Sequence, residues 1–232
     1  MLETAIALAV AAVPEGLPVV ATVALAKGMR RMARRNAIVK QLSAVEALGA
    51  ATMIMADKTG TLTENRMSLS RLALHERELT WDSRAKEFTE GGSGVAEPLI
   101  PLRAALEIGA LCSNASLDER GATGDPLEIA LLAGASEGLG LSREALLQEY
   151  PERREEAFSS ETNMMATVHE AQGRFRYAVK GAPEAVIEAC VRIKAESGTS
   201  ALDSNARDEW LRRNHRLASE GLRVLALAEK YE

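Results

Sequence analysis

The sequence predicts an α+β domain centred on an antiparallel sheet, joined to the first strand of an α/β domain and preceded by one transmembrane helix. Three observations lead there. Residues Leu2 to Ala26 form a nearly continuous apolar stretch. The compact apolar run Ala50 to Ala56 ends on a charged residue, Asp57. From Met67 onward, strand-like and helix-like spacings follow one another without strict alternation, the order expected of an α+β fold. The implied division is 1–35 for the membrane helix and a cytosolic stalk, 36–66 for the start of the α/β domain, and 67–232 for the α+β domain.

The first stretch is long enough to cross a bilayer core, which takes about 20 helical residues. Its only charges are Glu3 and Glu15. Six basic residues follow (Lys27, Arg30, Arg31, Arg34, Arg35, Lys40), with no acidic residue among them. A secretory signal peptide would carry its basic residues first, and a buried core helix would be shorter and lack the basic flank. The positive-inside tendency places the C-terminal end of the span in the cytoplasm. The chain thus reads as an integral membrane protein, a partner of the lipid bilayer, with its remaining parts cytoplasmic. Two prolines interrupt the span in Pro14-Glu15-Gly16-Leu17-Pro18. Each removes a backbone donor and crowds the preceding turn, so the helix breaks there. Freed carbonyls beside a carboxylate offer oxygens to a hard cation, which makes Glu15 a candidate cation ligand. A protonated or helix-paired structural Glu15 is the plainer alternative.

Asn36 to Leu48 reads as a connection and a short helix. Ala50 to Ala56 is consistent with a fully buried strand. Asp57 then stands where open α/β sheets place their chemistry, just beyond the carboxyl end of a strand. Leu69–Leu74 and Glu78–Phe88 look like strands, and Gly91–Gly94 is a glycine-rich loop. Pro101–Ser116 and Asp125–Glu137 have helical spacing, the second with Pro126 near its first turn. Met164–His169 and Phe175–Lys180 alternate as a hairpin around Ala171-Gln172-Gly173. Pro183–Arg192 and Asn205–Glu220 are helices, the latter ended by Gly221. Leu222–Ala228 is a last strand.

Composition narrows the classes. Hydrophobic residues make up 47% and charged residues 26%, as in an ordinary globular protein. Aromatics are only 3%, so Ala, Leu and Val must build the core. A net charge of −5 argues against a nucleic-acid partner. Cys112 and Cys190 form no motif and read as reduced thiols. His75, His169 and His215 lack metal-like spacing and read as surface residues. Gly138-Leu139-Gly140 is no dinucleotide fingerprint, since no strand precedes it.

The run Asp57-Lys58-Thr59-Gly60-Thr61-Leu62-Thr63 carries chemistry. A carboxylate at a strand end can attack the terminal phosphoryl of ATP and form an aspartyl-phosphate. Such transfer rests on positioning and electrostatics. Gly60 lets the backbone approach a phosphate closely. Lys58 supplies a cation. Asp57 and the Thr59 carbonyl can hold Mg²⁺, while the Thr61 hydroxyl and amide can bind phosphate oxygens.

Here a resemblance enters. Asp57 to Thr63 resembles the phosphorylation signature of P-type ATPases. Pro14 to Pro18 is similar to the ion-site segment of their fourth membrane helix, and Lys180-Gly181-Ala182-Pro183-Glu184 to their nucleotide-binding motif. The three occur in the family's order, and the likeness covers essentially the whole chain, closest to the calcium-pump branch. It implies an ATP-driven cation pump with an aspartyl-phosphate intermediate, Mg²⁺ as cofactor and ATP as substrate. The implied ion is Ca²⁺, transported past Glu15. A sodium/potassium-type or other cation pump is the alternative. Residues 36–66 would begin a haloacid-dehalogenase-like phosphorylation domain, and 67–232 would be a nucleotide-binding domain truncated at its C-terminus.

The resemblance also assigns roles in an ATP pocket. Phe158 matches the aromatic on which adenine stacks, and Glu128 an acidic residue near the adenine amino group. Lys180 and Gly181 match positions lining the adenosine pocket, with Met165 beside them. Arg223 matches an arginine reaching the phosphates, and Leu225 a pocket wall. Read from the residues alone, Phe158 could simply be core, Met165 could equally be packing, and Arg223 could be a surface charge. Asn163 stands where calcium pumps carry a basic residue, a departure that weakens any ligand contact there. Thr59 stands where dehalogenase-type phosphatases carry a second Asp for general acid–base work. Without that carboxylate the phosphoenzyme should persist, as a pump requires. The actuator domain and remaining membrane segments of such a pump would be partners supplied from outside this chain. The 232 residues alone are then expected to bind ATP as a module without efficient phosphorylation.

Overall fold

Residues Gly16–Ala33 wind into helix α1, whose last turn carries Arg30 and Arg31, where cations complement the helix dipole. The Thr22 hydroxyl donates to the Pro18 carbonyl at 2.8 Å, satisfying an acceptor four residues back. Helix α2 spans Leu42–Ala50. A computed structural model describes residues 3–6, 16–95, 99–118 and 121–232 of the chain. The chain divides into two units, Met1–Glu64 and Asn65–Glu232.

One expectation for the first unit changes. The strand expected over Ala50–Ala56 is not formed. Residues 51–57 have no regular structure, and Met53, Ile54 and Met55 are 76%, 89% and 91% exposed. A strand of parallel type needs a neighbour on each edge to satisfy its backbone, and no described strand pairs with this segment. Among the described residues, no helix is long and apolar enough to cross a membrane. Helix α1 begins within the expected span but runs on through Lys27, Arg30 and Arg31. Pro14 and Glu15 lie outside the described residues.

The second unit is α+β with antiparallel sheets. Strands β1 (Arg71–Ala73), β2 (Glu78–Asp82), β3 (Glu87–Glu90) and β4 (Ser93–Gly94) form a four-stranded meander. The single strand expected over Glu78–Phe88 is therefore a hairpin. Asp82 makes the turn, its carboxylate accepting from the amides of Arg84 at 2.8 Å and Ala85 at 3.1 Å. Helix α3 (Ile100–Leu111) stops short of the expected Ser116, and a short hairpin of β5 (Ser116–Asp118) and β6 (Gly121–Thr123) follows. Helices α4 (Pro126–Leu139) and α5 (Arg143–Glu149) come next.

Strands β7 (Glu152–Ser159), β8 (Met164–Ala171) and β9 (Arg174–Gly181) then build the main sheet. After helix α6 (Pro183–Ala189), a hairpin of β10 (Arg192–Ala195) and β11 (Gly198–Ala201), and helix α7 (Ser204–Ser219), strand β12 (Ala226–Tyr231) completes it in the order β12-β9-β8-β7. All its pairings are antiparallel. Between β8 and β9, Gln172 (φ 51°) and Gly173 (φ 79°) make a two-residue turn with both central residues left-handed. Helix α7 ends as expected at Gly221 (φ 82°), with the Leu222 amide returning to the Leu217 carbonyl at 3.3 Å.

Helix α3 lies at the centre of the core. Leu102, Leu106, Ile108 and Leu111 are buried among Leu72, Leu79 and Phe88 of the meander, Leu132 of α4, and Met165 and Ala178 of the main sheet. With few aromatics available, Leu and Ala fill this space. Gly138 of α4 is required by the packing, since a Cβ there would lie 2.7 Å from Phe88 Cε2.

The main sheet also buries charge. Arg176 of β9 is 2% exposed and bridges Glu107 of α3 at 3.0 Å and Glu229 of β12 at 2.9 Å. Its guanidinium faces the rings of Tyr150 and Tyr231 at 5.0 and 5.8 Å. His169, opposite Arg176 in register, is fully buried and not the surface residue expected. Its Nδ1 lies 3.0 Å from the Tyr150 carbonyl and its Nε2 2.8 Å from the Thr167 hydroxyl. Both ring nitrogens thus find partners, which is why an imidazole is tolerated in this core. Burial pushes its pKa down, and Arg176 and Arg143 nearby add to that.

Candidate functional site

The N-terminus of α4 sets up the site. Gly124 has φ +126°, and a Cβ there would come within 2.7 Å of Ala115 Cα, so only glycine fits. Asp125 caps the helix, accepting from the Leu127 amide at 2.8 Å, and Pro126 occupies the first turn. This places Glu128 at the third helical position, where its side chain reaches back to the loop that follows α3. One carboxylate oxygen accepts from the amides of Asn114 and Ala115, both at 2.9 Å, and from the Ser113 hydroxyl at 3.4 Å. The other accepts from the Lys180 ammonium. Glu128 and Lys180 are 8% and 7% exposed, so each neutralises the other away from solvent.

The main sheet brings Phe158, Met165 and Lys180 to one row. Met165 of β8 pairs in register with Lys180 of β9, which pairs with Leu227 of β12. Directly opposed residues share a face of the sheet. On β7 the register shifts between Glu156, opposite Ala166, and Ser159, opposite Met164. Ala157 and Phe158 therefore face Met165 together as a bulge. Phe158 is 62% exposed and Met165 4%, so the row passes from an open aromatic to a buried floor. Phe158 is thus not core, while Met165 belongs to the core cluster.

Gly181 stands in the next row, opposite Met164 and Ala226. A Cβ there would meet Met164 Cγ at 2.8 Å and crowd the Asn163 carbonyl. That carbonyl also accepts from the Ala182 amide at 2.9 Å, where α6 begins. Asn163 itself has φ 53°, a left-handed position that Asn adopts more readily than most residues. Its backbone shapes the turn before β8. Glu184, in the first turn of α6, accepts from Asn214 of α7 at 2.6 Å. Leu225 is partly buried just before Ala226, which pairs with Gly181. Arg223 is exposed in the same loop and makes no ion pair among the described residues.

Sequence reasoning missed the loop residues Cys112, Ser113 and Asn114. The Cys112 Sγ donates to the Met165 carbonyl at 3.5 Å, and burial pushes its thiol pKa up. The Asn114 amide group donates to Glu155 of β7 at 2.7 Å. Nothing in their spacing marks them. Their roles arise from where α3 ends.

Asp57 and its neighbours lie in the first unit. Asp57 is exposed, and one of its carboxylate oxygens accepts from the Thr59 amide at 3.3 Å. Gly60 turns the chain with φ 75°, and its amide donates to the Thr63 hydroxyl at 3.4 Å. The Thr63 hydroxyl in turn donates to the Lys58 carbonyl at 3.4 Å. Thr63 is thus a turn-holding residue that the sequence reading did not single out. Lys58 and Thr61 are exposed on the same turn. Asp57 and Thr59 present hard oxygen donors of the kind Mg²⁺ takes together with water and substrate phosphates. Among the described residues, no group of three or more His, Cys, Asp or Glu side chains converges to hold a metal.

Residues 101–232 match the family described as P-type ATPase, cytoplasmic domain N. The chain is 39% identical over 244 residues to the cation-transporting ATPase pma1 of Synechocystis sp., covering 99% of this chain and 26% of that protein. It is 39% identical over 243 residues to a calcium-transporting ATPase of Bacillus subtilis, covering 98% of this chain and 27% of that protein. It is 38% identical over 242 residues to the calcium-transporting ATPase type 2C member 1 of Homo sapiens, covering 98% and 26%. The chain thus spans about a quarter of the length of the curated relatives it matches.

Proposed function

We propose, from the premise that this chain belongs to the family of P-type ATPase cytoplasmic N domains, that its second unit binds ATP on behalf of an ATP-driven cation pump. The observation that carries this reading is the row across the main sheet. It joins exposed Phe158, buried Met165 and Lys180, and the Glu128 carboxylate beside Lys180. An adenine base needs an aromatic face, an apolar floor and a polar end, and the row supplies these in order. Arg223, exposed and without a carboxylate partner among the described residues, is suited to the phosphates.

The finer reading follows the resemblance. Asp57 accepts the phosphoryl group as an aspartyl-phosphate, with Lys58 and Thr61 facing the transferred phosphate. Mg²⁺ held by Asp57 and Thr59 would supply charge neutralisation there. Residues 1–35 are a fourth membrane helix with its stalk, 36–66 belong to a phosphorylation domain, and Glu15 is a ligand of the transported cation. Relatives named as calcium-transporting ATPases support Ca²⁺ as that ion.

Titration of the chain with ATP, followed calorimetrically, tests the pocket. Phe158→Ala should weaken binding about 10-fold, on the scale of one stacked base. Equal affinity in the two proteins would remove Phe158 from the site. Incubation with Mg-ATP followed by acid quench tests the remainder. These residues alone should form little hydroxylamine-sensitive phosphoenzyme, and near-stoichiometric labelling of Asp57 would overturn the reading of the chain as a binding module.

A further inference from the structure

We infer that Asn114 is a positioning residue for the nucleotide site, holding the edge strand that carries Phe158 at a fixed distance from the Glu128–Lys180 pair. The inference rests on the ATP pocket proposed above. Asn114 is the one residue in the loop after α3 that contacts both walls. Its main-chain amide donates to Glu128 at 2.9 Å, and its side-chain amide donates to Glu155 at 2.7 Å. Glu155 sits opposite Thr167 in register, and Thr167 is fully buried, so the Glu155 side chain leaves β7 on the inner face of the sheet.

The need for such a tie follows from topology. Strand β7 is the outer strand of its sheet and pairs with β8 alone. Its side chains from Glu152 to Phe158 are exposed, so little packing fixes it against the helices. Among the described residues, the ion pairs of β7 do not perform this task. Arg153–Glu170 links it to β8 within the sheet, and Arg154–Glu156 lies within β7 itself. Arg143–Glu152 at 3.5 Å ties the far end to α5. The Asn114–Glu155 bond is thus the tie to the helical layer nearest the bulge that sets the Phe158 ring. It gives the loop a second task, transmitting the position of Glu128 to the aromatic wall.

ATP titrations of the full chain, run to millimolar nucleotide, test this in two backgrounds. Asn114→Ala keeps the backbone bond to Glu128 and deletes only the tie. It should weaken ATP about 3- to 10-fold, the scale of one charge-assisted hydrogen bond partly open to water. Glu155→Gln preserves an acceptor oxygen and should lose less than Glu155→Ala. In a Phe158→Ala background the Asn114→Ala loss should vanish, because the ring it positions is gone. Amide exchange of residues 152–159 without nucleotide should quicken in Asn114→Ala. Wild-type affinity in Asn114→Ala would overturn the inference, as would an equal loss with and without Phe158. If the wild-type chain binds no ATP, the pocket itself fails and the inference falls with it.

Discussion

Glu128 and Lys180 form a buried ion pair across two elements, the first turn of α4 and the strand β9. The pair is completed by three further donors from the loop 113–115 to the same carboxylate. A buried pair of this kind costs much to break from one side, because the surviving charge stays away from water. Glu128→Ala should therefore destabilise the chain by about 3–5 kcal/mol, read from urea unfolding. Glu128→Gln keeps the shape and one acceptor and should cost less. A Glu128→Ala protein as stable as wild type would mean that solvent reaches Lys180.

Arg176 should be as demanding. It stands between Glu107 and Glu229, with the rings of Tyr150 and Tyr231 nearby. Removing it takes the buried partner from two carboxylates and leaves Glu107 to Arg103 and Glu229 to Lys194, so Arg176→Ala should lose about 3 kcal/mol. Arg176→Lys keeps the charge but not the planar fork, and should fall between. Thermal denaturation of the three proteins orders them.

His169 gives the second unit a pH dependence. Its folded pKa is held below its ordinary value, about 6.5 for an unperturbed histidine. The unfolded chain therefore takes up a proton more readily than the folded one. Stability from this group is fully present above the unfolded value and is lost as pH falls below it. Denaturant midpoints should drop from about pH 6.5 toward pH 5, above the range of most carboxylates. In His169→Gln that slope should flatten, even though the variant starts less stable. An unchanged slope would place the proton uptake elsewhere.

Gly181→Ala should damage folding and binding together. The added methyl would meet the Asn163 carbonyl oxygen first and Met164 Cγ at 2.8 Å, so β8 and β9 must part. Overpacking of this kind costs about 1–3 kcal/mol, and the ATP affinity should fall with it. Near-wild-type values in both measurements would show that the turn at Asn163 gives way freely.

Phe158→Ala should separate the two properties. A ring 62% exposed contributes little to the core, so stability should change by less than about 0.5 kcal/mol while nucleotide affinity falls. A large drop in unfolding midpoint would return Phe158 to a packing role.

The second unit was legible in the sequence where local chemistry dictates local shape. Asp125 and Pro126 announce the start of α4, Gly221 the end of α7, and Gln172-Gly173 the hairpin turn. The charged strand β7 was not, because Glu-Arg-Arg-Glu-Glu shows no apolar alternation. Its β-structure comes from pairing with β8 and not from its own pattern. His169 was misjudged for a related reason. Its polar neighbours suggested the surface, but the carbonyl and hydroxyl that satisfy it are contributed by Tyr150 and Thr167. The run Ala50–Ala56 shows the opposite error, since apolar character alone cannot make a strand without a partner.

The same charges that hid β7 have a use in solution. An outer strand offers a row of unpaired amides and carbonyls, a template on which another chain could polymerise. Here the template adjoins an exposed aromatic, which adds to the hazard of aggregation. Five consecutive charged residues, Glu152 to Glu156, carry the danger away. A foreign strand would have to desolvate them before gaining a single ladder bond. The domain can thus leave Phe158 open for a ligand without inviting copies of itself to the same edge.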